Sequence, residues 1–216
     1  MKVPFNGWLE GVPHYLPWFL AAIILTAGLW YAGHTALSTP VWLIAIGMLL
    51  FFRDLPRYTD AAPEALISPA DGTVVAVESL EETPHYDGPT LRVSIFMSVF
   101  SGHINRAPFD GTVRDVRYLP GEYRNAMKPE SSQVNESNAL WLDTDHGPVT
   151  VRQISGAVAR RIVCRAEPGM VLRRGEKFGM IKFGSRVEVY LPPGTPVLVA
   201  PGDKTKAGVT ILARFP

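Results

Sequence analysis

Gly179-Met180-Ile181-Lys182-Phe183-Gly184-Ser185-Arg186-Val187-Glu188-Val189-Tyr190-Leu191-Pro192 is the stretch from which the fold is best read. It holds two β-rich runs, 178–183 and 186–191, on either side of a Gly-Ser pair. On its own that pair reads as a turn. Working outward, the same texture begins at Ile67 and continues to the C-terminus. Residues 73–77 follow the turn signal Asp71-Gly72, residues 91–97 alternate, and residues 111–118 alternate apolar with charged side chains. Further short runs lie at 139–142, 149–154, 171–174, 196–199 and 208–214, while 157–161 reads equally as a helical or an extended turn. The 19 glycines and 19 prolines fall mostly in this part. Short strands with frequent punctuation predict a mostly β fold, a compact barrel or barrel-sandwich hybrid. Residues 122–134 are a long polar loop, the kind of insertion that often carries function.

The first 53 residues differ in kind. Residues 15–33 carry no charged side chain and are about long enough to cross a bilayer as a helix. Tyr15, Trp18, Trp30 and Tyr31 sit near the two ends, as an aromatic belt would. Trp8 marks residues 1–14 as interfacial. A polar break at 34–40 precedes a shorter apolar run, 41–52, which spans only if counted back to Ala36 and otherwise re-enters. Lys2, Arg53 and Arg57 flank the pair and the break has no Lys or Arg, so both termini are expected in the cytoplasm, with the rest of the chain on the cytoplasmic side of the inner membrane. A cleaved signal peptide is the rival reading, but export would leave the second apolar run as a greasy new terminus. The expected layout is a helical membrane hairpin at 1–53, a linker at 54–66 and a β domain at 67–216.

A formal charge of +1 gives no electrostatic case for binding nucleic acid. The single cysteine, Cys164, excludes an intramolecular disulfide and reads as a small buried residue. No Cys/His cluster has metal-ligand spacing, so no metal is expected.

Several separated motifs form a series: Ser68-Pro69-Ala70-Asp71-Gly72, Phe96-Met97-Ser98 running on to His103-Ile104-Asn105-Arg106-Ala107-Pro108, Asn135-Glu136-Ser137-Asn138, Gln153-Ile154-Ser155-Gly156-Ala157, Gly175-Glu176-Lys177-Phe178-Gly179 and Phe183-Gly184-Ser185-Arg186. In that order and spacing the chain resembles the short prokaryotic form of the phosphatidylserine decarboxylases, from about residue 53 to the C-terminus. The resemblance implies a pyruvoyl enzyme, a zymogen made active by cleaving itself between Gly184 and Ser185. A β chain, 1–184, and an α chain, 185–216, would stay associated. Ser185 Oγ would attack the Gly184 carbonyl in an N-to-O acyl shift. Elimination, tautomerisation and hydrolysis would then leave a pyruvoyl group at residue 185 and release ammonia. The substrate amine of phosphatidylserine would form a Schiff base with that group, lose CO₂ into the electron sink so made, and leave as phosphatidylethanolamine.

A serine hydroxyl is a weak nucleophile and needs a base. By the resemblance, Asp71, His103 and Ser185 form the self-processing set, with His103 taking the proton and Asp71 orienting the imidazole. His103 is also the best proton donor for the decarboxylated carbon. Arg160, Arg161 and Arg186 are candidates for the lipid phosphate or substrate carboxylate. Two departures stand out: Arg106 occupies the position where longer relatives carry a second histidine, and Ser137 stands where the family pattern has Arg. Roles for Asn135 and Glu136 stay open, and His85 and His146, in turn-like contexts, read as exposed. The alternative is a non-catalytic, membrane-anchored β module of the biotinyl or lipoyl type, with Lys182 as the modified residue. It lacks a Met-Lys-Met pattern and leaves Gly184-Ser185 without a role.

Overall fold

The computed structural model describes residues 5–157, 161–182 and 184–216, and these fall into two units, Asn6–Leu55 and Pro56–Pro216 with Phe5. In the first, helix α1 (Gly7–Tyr31) starts where Asn6 Oδ1 accepts hydrogen bonds from the backbone N–H groups of Trp8 (3.0 Å) and Leu9 (3.3 Å). These are two of the donors a helix start leaves unpaired. Residues 7–14, read above as an interfacial lead-in, are therefore the first turns of the same helix. The break is shorter than the sequence suggests. A 3₁₀ turn (Thr35–Ser38) leads straight into α2 (Thr39–Phe51), whose first turn takes up Pro40.

The hairpin is pinned at both ends. Gly7 N–H donates to Asp54 Oδ2 at 3.0 Å, while at the far end Thr26 Oγ1 lies 2.9 Å from Ser38 Oγ and accepts from Trp42 Nε1 at 3.0 Å. Gly11 lets the helices close up, because a Cβ there would sit 2.5 Å from the Phe52 ring. At 1.5 Å per residue α1 is about 37 Å long and α2 about 20 Å. Among the described residues α1 is long and apolar enough to cross a membrane, and α2 is too short.

The second unit is mostly β. Its strands are β1 (Ala65–Ile67), β2 (Gly72–Leu80), β3 (Thr90–Met97), β4 (Ile104–Arg106), β5 (Gly111–Leu119), β6 (Ser137–Thr144), β7 (Gly147–Ile154), β8 (Arg161–Cys164), β9 (Val171–Leu172), β10 (Lys177–Lys182), β11 (Ser185–Leu191), β12 (Lys204–Thr205) and β13 (Ile211–Arg214). Eight form one curled, half-barrel sheet in the order β12-β2-β3-β11-β7-β6-β5-β9. Strands β4, β10 and β8 form a second sheet, and β1 pairs with β13. The half-barrel stays open, with the two-residue strands β12 and β9 at its edges.

Strand β11 lies in the middle of the large sheet. It pairs with β3 from Ser185 opposite Met97 to Leu191 opposite Leu91, and with β7 from Arg186 opposite Ile154 to Tyr190 opposite Thr150. Strand alternation sends Val187, Val189 and Leu191 into the apolar core with Val93, Ile95, Val149 and Val151. Arg186, Glu188 and Tyr190 point the other way, yet they too are buried. The cover on that side comes from the 122–134 loop, which carries the one-turn helix α3 (Ser131–Val134). Ser132 Oγ donates to Glu188 Oε1 at 2.8 Å, and Arg152 donates to the Ser132 carbonyl at 2.7 Å.

His85 corrects the reading above. It is only 6% exposed, with its ring 5.7 Å from that of Tyr190 and 6.4 Å from that of Trp141. Burial, then the nearby charge of Arg152, lowers its pKa to about 4. His146 is exposed as expected, and its ring stacks on Phe215.

Candidate active site

Antiparallel pairing collects the strand ends. The starts of β2, β4, β6, β8 and β11 and the ends of β3, β5, β7 and β10 meet at one end of the unit. Asp71, His103, Arg161, Gly184 and Ser185 all lie on or next to those ends. Of the other residues singled out, Arg160 lies outside the described residues, as does Phe183.

Ser185 opens β11 and is fully buried. Its Oγ donates to Met97 Sδ at 3.5 Å. A thioether is a weak acceptor, so the hydroxyl is oriented without being tied to a strong partner. Gly184 has φ +48°, in the left-handed region that favours glycine. Its carbonyl packs on Gly156: a Cβ added there would lie 2.1 Å from Gly184 O and 3.2 Å from Ala126 Cβ. Asn135 holds this arrangement from the side. Its Nδ2 donates to the carbonyls of Ser155 and Arg124, both at 2.8 Å, and its Oδ1 accepts from Arg124 N–H at 2.9 Å. The 122–134 loop is thus tied to the segment that abuts the Gly184 carbonyl.

Asp71 is held by four donors. Both terminal nitrogens of Arg57 bond it, Nη2 to Oδ2 at 2.7 Å, and it accepts from the N–H groups of Gly102 (3.1 Å) and Ala207 (2.7 Å). A Cβ on Gly102 would crowd Asp71 Oδ2 at 2.6 Å. Sequence reasoning used Arg57 only as a flanking cation. The signal that could have found it was the lone arginine placed ahead of an Asp-Gly turn in a polar linker. His103 follows Gly102, is fully buried, and its carbonyl accepts from Ile181 N–H at 3.3 Å. The segment 97–103 therefore reaches Ser185 at one end and Asp71 at the other.

A chain of buried amides backs this segment. Asn138 Nδ2 donates to Gln153 Oε1 (3.2 Å), Gln153 Nε2 to Asn105 Oδ1 (2.8 Å), and Asn105 Nδ2 approaches the same Met97 sulfur at 3.9 Å. Arg106 donates to the Gly175 carbonyl at 2.9 Å, and Ser137 Oγ accepts from Arg152 at 3.0 Å. Glu136 accepts from Tyr118 Oη at 2.8 Å.

The candidate arginines have different surroundings. Arg161 is exposed at the start of β8. Arg186 is 2% exposed, with Nε 2.9 Å from Glu188 Oε1 and Nη2 donating to Ser94 Oγ at 2.8 Å. Burial pushes the Glu188 carboxyl up, but Arg186, Arg92, the Tyr190 hydroxyl and Arg152 together hold it below the usual carboxylate range. Arg186 thus faces protein charge, on the sheet face opposite to Ser185. Burial raises the Cys164 thiol, which suits a packing residue better than a nucleophile. Among the described residues no group of three or more His, Cys, Asp or Glu is placed to hold a metal ion.

The chain is similar to known proteins over nearly its whole length. A family model described as phosphatidylserine decarboxylase matches residues 44–213. Curated relatives named phosphatidylserine decarboxylase proenzyme include one from Nitrosomonas eutropha, 46% identical over 207 residues, and one from Nitrosomonas europaea, 47% identical over 210 residues. Each alignment covers 95% of this chain and 94% of the relative. A third, from Magnetococcus marinus, is 42% identical over 207 residues with the same coverage.

Proposed function

The chain belongs to the phosphatidylserine decarboxylase family, and from that premise we propose that Ser185 cuts its own chain and that the pyruvoyl group left behind is the cofactor. The protein is a phosphatidylserine decarboxylase, a carboxy-lyase of phospholipid biosynthesis that converts phosphatidylserine to phosphatidylethanolamine.

The observation that carries the self-cleavage reading is the pairing of a buried Ser185 hydroxyl, oriented by Met97, with a Gly184 carbonyl packed on Gly156. In cleavage Ser185 Oγ attacks that carbonyl, and the backbone bond between the two residues gives way to an ester. His103 takes the hydroxyl proton and returns it to the Ser185 nitrogen freed from the amide; elimination of the ester then releases the Gly184 carboxylate and leaves a dehydroalanine, which tautomerises and hydrolyses to the pyruvoyl group and ammonia. Asp71 keeps the imidazole oriented and stabilises its charged form, while Arg57 and the N–H groups of Gly102 and Ala207 hold Asp71 still.

The site suits a pyruvoyl group. Residue 185 is the first residue of a strand paired on one side throughout and on the other from residue 186, so the group would be held on rigid backbone. When present, the group supplies a ketone for the substrate amine and a sink for the electrons left as CO₂ departs. His103 returns a proton to the α-carbon. Arg161, exposed at the rim, meets the phosphate or carboxylate of the headgroup. The two fragments, 1–184 and 185–216, stay together through β11, β12 and β13. The apolar helix α1 keeps the enzyme at the bilayer, and Lys2 and Arg53 favour the cytoplasmic face of the inner membrane.

Intact mass spectrometry tests the reading. The expected result is two masses, with the 185–216 fragment carrying a pyruvoyl end that blocks amine sequencing. Ser185→Ala should give one uncut chain. Cleavage of that variant between residues 184 and 185 would overturn the mechanism.

A further inference from the structure

The residues around the site end include a set of large apolar side chains turned to solvent. Phe100, 86% exposed, and Val99 form the tip of a turn between Met97 and His103. The turn is tightly built: Ser101 N–H donates to the Ser98 carbonyl at 3.0 Å, Ser98 N–H to Ser101 Oγ at 3.1 Å, and Phe100 N–H to Ser98 Oγ at 3.3 Å. Leu119 ends β5 at the same end of the unit, and Tyr123 and Met127 follow on the 122–134 loop, all three exposed. Two serine side chains stiffen this turn, and Phe100 on it is 86% exposed. Large apolar side chains exposed together at one end of a β unit point to an interaction surface there.

We propose that this end of the β unit docks directly on the bilayer, with Val99 and Phe100 entering the apolar layer and Leu119, Tyr123 and Met127 resting at its boundary. The inference rests on the reading that the substrate is a membrane lipid. Phosphatidylserine keeps two acyl chains in the bilayer while its amine must reach residue 185, which is fully buried. The site end must therefore face the lipid surface closely, and it is this end that carries the apolar rim. Charge agrees. Glu122 is paired with Arg124, and the exposed cations Lys128 and Arg161 outweigh the carboxylate of Glu130 on this rim among the described residues, which suits anionic headgroups. The contact belongs to the catalytic unit itself, in addition to the anchor that α1 supplies.

Site-directed spin labelling tests this. In a Cys164→Ser background, Phe100→Cys is labelled with a nitroxide in the processed full-length enzyme. The protein is reconstituted in vesicles of phosphatidylethanolamine and phosphatidylglycerol. Asp145→Cys, on the exposed turn between β6 and β7 at the other end of the sheet, is the reference. The label at 100 should be reached by oxygen and shielded from an aqueous nickel chelate, and the label at 145 should show the reverse. Equal access of the chelate to both would overturn the proposal. Phe100→Ser adds a functional readout. It should cut normally and keep its kcat/KM on a water-soluble short-chain phosphatidylserine. On long-chain phosphatidylserine in vesicles it should lose about tenfold or more. An equal loss on both substrates would also overturn docking. Label accessibility does not depend on turnover, so a failure of the decarboxylase reading is seen separately.

Discussion

Replacing Gly156 with alanine drives a methyl group into the Gly184 carbonyl. The new Cβ would sit 2.1 Å from that oxygen, where an ordinary carbon-oxygen contact needs about 3.3 Å. Something must yield by roughly 1 Å. The backbone at 155–156 has little freedom to retreat: Asn135 holds the Ser155 carbonyl at 2.8 Å, and Ala126 Cβ would lie 3.2 Å from the added methyl. The carbonyl is then the group displaced, and it is the one that the proposed cleavage has Ser185 Oγ attack. A misplacement of about 1 Å in an oriented intramolecular reaction costs about 100-fold in rate, or about 2.7 kcal/mol on the barrier. The overpacking itself costs about 1–3 kcal/mol of stability, which an ordinary domain of about 5–15 kcal/mol survives. The expected outcome is a folded chain that cuts about 100-fold more slowly, followed as the appearance of the 185–216 fragment by intact mass, with circular dichroism to check the fold. Cleavage within threefold of the parent rate in a folded variant would refute the claim that Gly156 positions the carbonyl.

Asp71→Asn and His103→Ala should each slow fragment appearance by about 100-fold or more, the range expected for loss of a positioned base or its orienting partner; normal cutting in both would remove them from the mechanism. Arg57→Gln should lower stability by about 1–3 kcal/mol, because it leaves the part-buried Asp71 carboxylate short of its paired cation, and should slow cleavage as well. Denaturant melts together with a gel time course check both effects. His85 predicts a pH dependence. Its pKa is lowered from 6.5 to about 4, so above pH 6.5 it is neutral in both states and contributes nothing. As pH falls from 6.5 to 4 the unfolded chain takes up a proton that the folded one refuses, and stability drops by up to about 3 kcal/mol. Melts at pH 7, 5.5 and 4.5 should show that fall, and His85→Phe should flatten it.

The β character of residues 67–216 and the apolar helix were legible because they rest on local signals: strand-length runs, turn residues and a charge-free stretch. Ser185 was singled out by the company of several motifs. What stayed hidden depends on distant parts of the chain. Alternation along β11 says that Arg186, Glu188 and Tyr190 share a face, but nothing local says that Ser132 and its loop lie over them. His85 was read as exposed because it follows Pro84 in a turn-like context, yet the rings that enclose it come from residues 141 and 190. Arg57 looked like a membrane-flanking charge until Asp71, 14 residues on, was seen beside it. Gly156 was quoted as part of a motif, but the reason for its missing side chain lies at Gly184. Arg160 is placed by neither route, since it falls outside the described residues.

The central position of β11 has a consequence for the life history of the enzyme. On the proposed cleavage between residues 184 and 185, the strand that begins at the cut is flanked by β3 and β7, both from the other fragment. Before cleavage, inserting it is a unimolecular event within one chain. After cleavage the same insertion needs two molecules to meet, and the longer fragment must keep open a slot in the middle of a sheet while it waits. Denaturation of the mature protein followed by dilution therefore loses the partner along with the structure, and recovery depends on concentration where that of the precursor does not. On the proposed self-cleavage the protein folds as one chain and works as two, so the bond broken on activation is also the tether that lets it fold.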